Sequence, residues 1–349
     1  MLAALATGCS LKAMTGDMMS EYTVDELTPF LLASDDLGMA CETGVSMGSY
    51  LMSFERVTDA PNKAAVSTLV TAGACAQIEA WEAELRSLRA LHAGDAAGAQ
   101  DARIAEKRAN AVAARRFYRA WKYLVAEYGV PGETCPELED ESDELIWLLG
   151  MLAGVQATQH DRGANGMAGV PLDVPRQAAR GVQCLNNEKW WGVPRAVSAA
   201  VWTSIPGAGP EGVDPWARLA EASALGVKAG VRVALAVEAQ AAAAAGKSDK
   251  VRAAIKAYAA AIEEAPARGR FSLLDHNATV QVQVLSDRLW TEGTGHRTPV
   301  GALGTFWDDA PPAPEGGDDL LEGLEDDAPA QAAPAPGADG SAPPNATEE

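Results

Sequence analysis

Residues 35–88 read DDLGMACETGVSMGSYLMSFERVTDAPNKAAVSTLVTAGACAQIEAWEAELRSL, and this stretch decides the fold class. Its first part carries apolar and small residues at spacings of three and four, the period of one face of an α-helix. Asp35 and Asp36 precede that face, where carboxylates favour a helix N-terminus. The pattern predicts an amphipathic helix with the stripe Leu37, Ala40, Cys41, Gly44, Met47, Gly48, Leu51 and Met52.

A second helical pattern follows the proline turn at Pro61-Asn62 and covers residues 64–92. Because the connection is short, the two helices are expected to pack antiparallel as a helical hairpin. The apolar positions of the second helix are Val66, Leu69, Val70, Cys75, Ile78, Trp81, Leu85 and Leu88.

Helical periodicity continues to about residue 290, and almost no segment alternates in the manner of a strand. A long helix is expected from Gly94-Asp95 to about Tyr128, and the uniformly apolar residues 145–157 predict an enclosed helix. Glycine and proline divide the remainder into short helices, about ten in all. This organisation favours an all-α fold, a TPR-like helical-repeat solenoid.

One repeat signature supports the solenoid. In tetratricopeptide repeats of about 34 residues, the second helix carries a small residue, an aromatic, a second small residue and a closing proline. Ala254, Tyr258, Ala261 and Pro266 stand in that order at spacings of 4, 3 and 5.

Composition and motifs exclude several classes of function. The chain has a formal net charge of −20, which disfavours the basic surface that nucleic-acid binding needs. Its 4 His residues have no metal-ligand spacing, so no metal and no cofactor are expected. Known catalytic motifs are missing, and His160-Asp161-Arg162 is interpreted as a polar helix terminus. We therefore expect a protein that is not an enzyme, with no catalytic residue.

The N-terminus resembles a lipoprotein signal. Residues 1–8 form a short apolar run that ends in small residues before Cys9, which would be the lipidated residue. No basic residue precedes the run, and a start codon placed too far downstream would explain its shortness. The alternative is that Cys9 belongs to a frayed cytosolic N-terminus. Because Ser10, not aspartate, follows Cys9, the outer membrane is the expected location.

The remaining cysteines are even in number, as expected for an exported chain with disulfides. Cys41, Cys75, Cys135 and Cys184 allow three pairings. A hairpin centred on residues 60–63 brings Cys41 level with Cys75, so this pair is preferred, and Cys135 with Cys184 follows by elimination. The alternative is four buried free thiols.

The C-terminal residues 308–349 differ in composition from the rest. They contain twelve acidic residues, no Lys or Arg, and many Pro and Ala residues, so we predict a disordered tail. Docking of this tail to a basic partner is the alternative. The expected organisation is a signal-like segment (1–8), an N-terminal linker (9–33), an α-helical domain (34–307) and the tail.

Tryptophan suggests a binding site. If Trp190 and Trp191 are adjacent on a helix, their side chains point about 100° apart, and one can pack while the other lines a cleft. Asn187 and Trp202 lie nearby in sequence, and we predict these four residues as a ligand- or partner-binding cluster. The alternative is that each Trp is a core anchor.

The order of several local patterns resembles the T component of tripartite ATP-independent periplasmic (TRAP) transporters, a family of TPR-like helical lipoproteins. The patterns are Leu51-Met-Ser-Phe54-Glu55, Pro61-Asn62, Trp191-Gly192, Ile205-Pro206-Gly207, Gly212-Val-Asp214-Pro215, the Ala-rich segment through Ala239 and Ala242, the turn at residues 247–249, Asn277 and Arg288.

The resemblance implies a non-enzymatic, lipid-anchored protein on the periplasmic face of the outer membrane. It further implies a homo-oligomer with an apolar channel or cleft that passes a hydrophobic or organic-acid ligand to a periplasmic solute-binding protein. The alternative is a TPR-like scaffold lipoprotein that binds proteins of the cell envelope and has no ligand channel.

Overall fold

The computed structural model describes residues 11–132, 134–205, 207–265 and 269–309. All regular secondary structure in these ranges is helical, which confirms the predicted all-α class. The α-helices are α1 (Leu11–Tyr22), α2 (Thr28–Leu32), α3 (Leu37–Met52), α4 (Asn62–His92), α5 (Ala96–Tyr128), α6 (Glu141–Gly163), α7 (Val174–Gly181), α8 (Val193–Ser204), α9 (Pro215–Ala229), α10 (Val233–Ala244), α11 (Ser248–Glu264) and α12 (Ser272–Thr294).

Helices α3 to α6 pack in chain order, each against the next. The hairpin of α3 and α4 is therefore as the sequence predicts. Asp36 Oδ1 accepts a hydrogen bond from Met39 N at 2.8 Å, and Asp95 Oδ1 accepts from Gly98 N at 2.9 Å. These carboxylates satisfy backbone donors that have no partner inside the helix, which is why α3 and α5 begin there.

Small residues let these long helices approach closely. A Cβ atom on Gly73 of α4 would lie 2.5 Å from the Phe117 ring of α5, and one on Gly154 of α6 would lie 2.5 Å from the Trp121 ring. Both aromatic side chains are buried at these contacts. Each ring fills the space that a glycine leaves, so the helix spacing is set by ring thickness.

We call helices α1 to α7 the first half of the fold and helices α8 to α12 the second half. α8 packs on α9, α9 on α10 and α10 on α11, and α12 packs on α10 and back on α4. Ala254, Tyr258 and Ala261 of the repeat signature are all buried, and Ala254 and Tyr258 belong to one apolar cluster of this half. Pro266, the last residue of the signature, lies outside the described residues.

Residues 11–32 make up most of the predicted N-terminal linker, and they are helical. A π-helical turn (Thr23–Leu27) joins α1 to α2, and Leu31 and Leu32 are buried. Pro29 lacks the N–H that would continue a regular α-helix here, which accounts for the wider turn. Thr28 Oγ1 lies 3.2 Å from Ser67 Oγ of α4, and these two residues are 39 positions apart in the sequence.

Both disulfides are present in the preferred pairing. Cys41–Cys75 joins α3 to α4 with a Cα–Cα distance of 5.3 Å, and Cys135–Cys184 joins the loop before α6 to the 3₁₀ turn after α7 at 5.4 Å. Both Cα–Cα distances lie in the range that disulfides require. The second bond was predicted only by elimination.

The chain divides into two units between Trp307 and Asp308. Three predictions fall mostly on residues that the structure does not describe: the signal-like segment, lipidation of Cys9 and the acidic tail, of which only Asp308 and Asp309 are described.

A buried ion pair fixes the second half. Arg232 and Asp275 are each 1% exposed. The Arg232 backbone N and Nε donate to Asp275 Oδ1 at 2.6 and 3.0 Å, Nη2 donates to Asp275 Oδ2, and Nη1 donates to the carbonyl oxygen of Ala261 at 2.7 Å. The pair therefore joins the start of α10 to both α11 and α12, and removal of either partner leaves an uncompensated charge.

We predict that Asp275→Asn lowers the free energy of unfolding by about 3–5 kcal/mol, because Arg232 stays buried without its carboxylate. Glu141→Gln is the matched control, because it breaks an exposed pair with Arg270 and should cost less than about 1 kcal/mol. Urea unfolding followed by circular dichroism measures both. Equal losses for the two variants would contradict this role of the buried pair.

Candidate functional site

An apolar cavity of about 120 Å³ lies between the two halves of the fold. Its wall includes the π-helical turn, α2, α3, α4, α6, α10 and α12, together with Trp191 before α8. The apolar wall residues are Leu27, Leu31, Leu32, Leu37, Val70, Ala74, Phe117, Leu148, Leu149, Leu152, Ala153, Trp191, Val193, Val233, Ala236, Val237, Leu273 and Leu274.

The polar part of the wall is uncharged. Five hydroxyl side chains line the cavity, and each donates to a main-chain carbonyl of a nearby residue: Thr23, Thr28, Ser67, Thr68 and Thr71. Four carboxamides complete the polar lining: Gln77, Gln156, Asn277 and Gln281. Among the described residues, no Asp, Glu, Lys, Arg or His lines this cavity, so the wall favours an uncharged ligand.

Two of these carboxamides belong to a buried chain of hydrogen bonds. Gln77 Nε2 donates to Gln156 Oε1 at 3.0 Å and lies 3.0 Å from His160 Nε2. His160 Nδ1 lies 2.6 Å from Asn110 Oδ1. The His160 ring also stacks on Phe117 at a centroid distance of 5.7 Å. The chain thus connects α5, α6 and α4 and ends at the cavity wall.

His160 is uncharged in this environment. Burial lowers the pKa of its imidazole from the usual 6.5 to about 4, because the charged form loses its hydration. One ring nitrogen must therefore donate and the other accept. His160 lies in the last turn of α6, as the sequence interpretation of a helix terminus expects, but it is buried and neutral there and is not a cation at the helix end. Its neighbour Asp161 accepts from the backbone N of Ala168 and of Val170.

A second cavity of about 100 Å³ adjoins the first. Both cavities are lined by Leu152, Gln156, Val237 and Gln281, which therefore form the partition between them. Arg162 is the one charged side chain on the described wall of the second cavity. A carboxylate ligand could therefore pair with Arg162 in the second cavity, whereas the described wall of the first cavity offers no cation.

Trp190 and Trp191 lie in a turn before α8, not on a helix. Trp191 has φ of 50° and Gly192 has φ of 80°, two consecutive left-handed residues that redirect the chain. Trp190 is 1% exposed, and its Nε1 donates to Glu144 Oε2 at 2.6 Å. Burial opposes ionisation of Glu144, but hydrogen bonds from Lys189 and Trp190 outweigh it and lower the pKa of this carboxyl.

The predicted cluster is only partly brought together. Trp191 is half-buried, lines the first cavity and packs edge-on against Phe271 at 4.6 Å. Asn187 Oδ1 accepts from Arg195 N at 3.1 Å, which makes it a turn residue. In the described chain, Trp202 packs over Gly209 and lines neither cavity. Of the four predicted residues, the structure places Trp191 alone on the cavity wall.

Sequence reasoning missed the four carboxamides. They come from α4, α6 and α12, and only their tertiary arrangement brings them to one space. One signal was available, because Asn277 and Gln281 are four residues apart and therefore share a face of α12. Nothing in the local sequence marks Gln77 or Gln156 as members of the same site.

No described helix is long and apolar enough to span a membrane, and no described group of His, Cys, Asp and Glu could hold a metal ion. Comparison of the chain with protein-family models, curated protein sequences and solved structures finds no match.

We predict that Trp190→Ala lowers the free energy of unfolding by about 3–5 kcal/mol, as expected for a fully buried Trp, and that Trp191→Ala loses less. Trp190→Phe is the matched control: it keeps a ring in the core, removes the hydrogen bond to Glu144 and should cost about 1–2 kcal/mol. Urea unfolding measures all three. A larger loss for Trp191→Ala than for Trp190→Ala would contradict the assignment of core and wall.

A second prediction concerns pH. The pKa of His160 is about 4 in the folded chain and about 6.5 in the unfolded chain. Between pH 4 and pH 6.5, the unfolded chain therefore binds one more proton at this residue than the folded chain does. Stability should fall by about 2 kcal/mol between pH 7.5 and pH 5 from this group alone. In His160→Gln, the decrease in stability that comes from His160 should be absent, whereas the decrease that comes from protonation of carboxylates should remain. Urea unfolding at several pH values tests this, and identical slopes for the two proteins would contradict it.

Proposed function

We propose that this protein is not an enzyme and that it binds a small, largely apolar, uncharged ligand in the first cavity. The observation that carries the proposal is the composition of the wall: mostly aliphatic and aromatic side chains, a few carboxamides and no charged group among the described residues. Ligand sites are typically concave and apolar with a few fixed polar groups.

The size of the cavity supports a small ligand. An apolar protein cavity of about 150 Å³ binds benzene, and the space here is close to that volume. A ligand that binds this space in the folded chain and not in the unfolded chain stabilises the fold, so binding should raise the melting temperature.

We further propose the biological role that the TRAP T-component resemblance suggests. The protein would be a lipid-anchored, homo-oligomeric component on the periplasmic face of the outer membrane, and it would deliver its ligand to a solute-binding protein. Helices α8 to α11 would correspond to TPR-like pairs, supported by the burial of Ala254, Tyr258 and Ala261 of the repeat signature. An organic acid would be a ligand of the second cavity, with its carboxylate near Arg162.

A second candidate function is a scaffold for protein interaction, and one observation favours it. Helix α1 exposes an apolar stripe at spacings of three and four, formed by Leu11, Met14, Met18 and Tyr22. Exposed apolar stripes of this kind are typical of surfaces that a partner covers. The two functions differ in whether the interior of the protein takes part in binding.

We predict that Val237→Phe, which adds bulk at the partition of the two cavities, weakens benzene binding at least tenfold. Val227→Phe is the matched control: it makes the same change at a half-buried position outside both cavities, and it should bind as wild type does. Calorimetric titration measures affinity, and circular dichroism verifies folding. Equal benzene affinity in all three proteins would refute the cavity as the site.

The partner is tested separately. Crosslinking in intact cells followed by mass spectrometry should recover a TRAP solute-binding protein with wild type. The scaffold alternative instead predicts that capture of an envelope protein is lost in Met14→Lys and Met18→Lys variants and unaffected by Val237→Phe. If no solute-binding protein is recovered, the proposed transport role is refuted, but the proposed binding of a ligand in the cavity is not.

A further inference from the structure

The buried hydrogen-bond chain fixes which polar groups the cavity offers. Both N–H groups of Gln77 Nε2 are engaged, one by Gln156 Oε1 and one by His160 Nε2, each at 3.0 Å. Gln77 Oε1 and Gln156 Nε2 make no further hydrogen bond within the described residues. In these residues, the fully shielded side-chain atoms without a partner are Asn62 Oδ1, Asn187 Nδ2, Arg288 Nε and Thr291 Oγ1. Gln77 Oε1 and Gln156 Nε2 are not among them, so neither atom is fully shielded. Because both residues line the first cavity, these two amide atoms are accessible to a ligand there.

These two free atoms are of opposite kind, one acceptor and one donor. The property does not depend on the orientation of the amides. If every amide in the chain were reversed and the histidine proton moved to Nε2, Gln156 would present the acceptor and Gln77 the donor. The two glutamines thus always leave one donor and one acceptor free, because one amide of the pair donates its nitrogen and the other accepts at its oxygen.

We propose that the wall at Gln77 and Gln156 binds a neutral group that both donates and accepts a hydrogen bond, such as the carboxamide or lactam of a small apolar molecule. This inference rests on the proposed function, since it assigns the ligand class of the same cavity. Asn277 and Gln281 line the same cavity from α12, so the polar end of the ligand can be held from two sides.

Carboxylate ligands are excluded from the first cavity by the same geometry. A carboxylate can only accept hydrogen bonds, so it would face another acceptor, either Gln77 Oε1 or, in the reversed arrangement, Gln156 Oε1. No cation on the described wall would offset this repulsion. A purely apolar molecule would leave both amide atoms unpaired when water is expelled. His160 contacts the glutamine and not the ligand, and therefore acts as a positioning residue.

Three molecules of nearly identical shape test this proposal: benzamide, cumene and benzoate. Because cumene is much less soluble in water than benzamide, absolute affinities are not compared. The measured quantity is the ratio of benzamide to cumene affinity, obtained by calorimetric titration of the full chain. We expect Gln77→Met and Gln156→Met each to lower this ratio about tenfold, the equivalent of one hydrogen bond at about 1.4 kcal/mol.

Two further variants complete the design. Gln183→Met makes the same substitution on an exposed residue that lines neither cavity, and it should leave the ratio unchanged. His160→Phe, which frees the glutamine amides to reorient, should lower the ratio while cumene still binds. Benzoate should bind more weakly than benzamide to wild type.

The outcomes separate the two proposals. If neither benzamide nor cumene binds the wild-type protein, the proposed cavity function itself fails. If cumene binds but the ratio is the same in wild type, Gln77→Met and Gln156→Met, the cavity function stands and the assignment of the ligand class is overturned. The use of two glutamine variants keeps the test decisive if one of them does not fold.

Discussion

Close helix approach through small residues is the constraint on which the remainder of the structure depends. Glycine and alanine bring α3, α4, α5 and α6 together, and where a ring such as Phe117 meets Gly73 the fit is tight. Three small residues of these helices, Gly44, Ala74 and Ala153, lie on the cavity wall where the two halves of the fold meet, and they contribute little side-chain volume there. The apolar character of the wall follows from the stripes that form the core.

Within that cavity, the polar lining is specified by residues that do not line it. His160 and Asn110 lie behind the wall, and His160 remains neutral because it is buried. Since a neutral imidazole donates on one side and accepts on the other, it orients Gln77, which orients Gln156 in turn. A connected network of this kind couples the orientations of its amides, whereas isolated glutamines would be free to rotate.

Much of the fold could be predicted because its signals are local. Periodic stripes locate α3 and α4, and the acidic residues before α3 and α5 mark their starts. The pairing of Cys41 with Cys75 follows from the hairpin that these signals define. The N-terminal helices were missed because α1 is largely exposed and the Thr28–Ser67 contact depends on tertiary packing.

The candidate site was predictable only in part. Trp191 could be singled out by composition, but its position on the wall depends on a left-handed turn that the sequence does not reveal. The carboxamides come from three distant helices, and their convergence cannot be deduced from spacing. Sequence patterns thus do not predict the site residues that come together only through tertiary packing.

The central claim is that the cavity between the two halves holds a small uncharged ligand. Native mass spectrometry of the protein purified gently from its own cells tests this claim most directly. The account predicts a retained small molecule, identified after release as largely apolar and uncharged at neutral pH, and it predicts that Val237→Phe carries none. A wild-type protein that shows only its own mass, or an equal amount of the same molecule on Val237→Phe, would contradict the account.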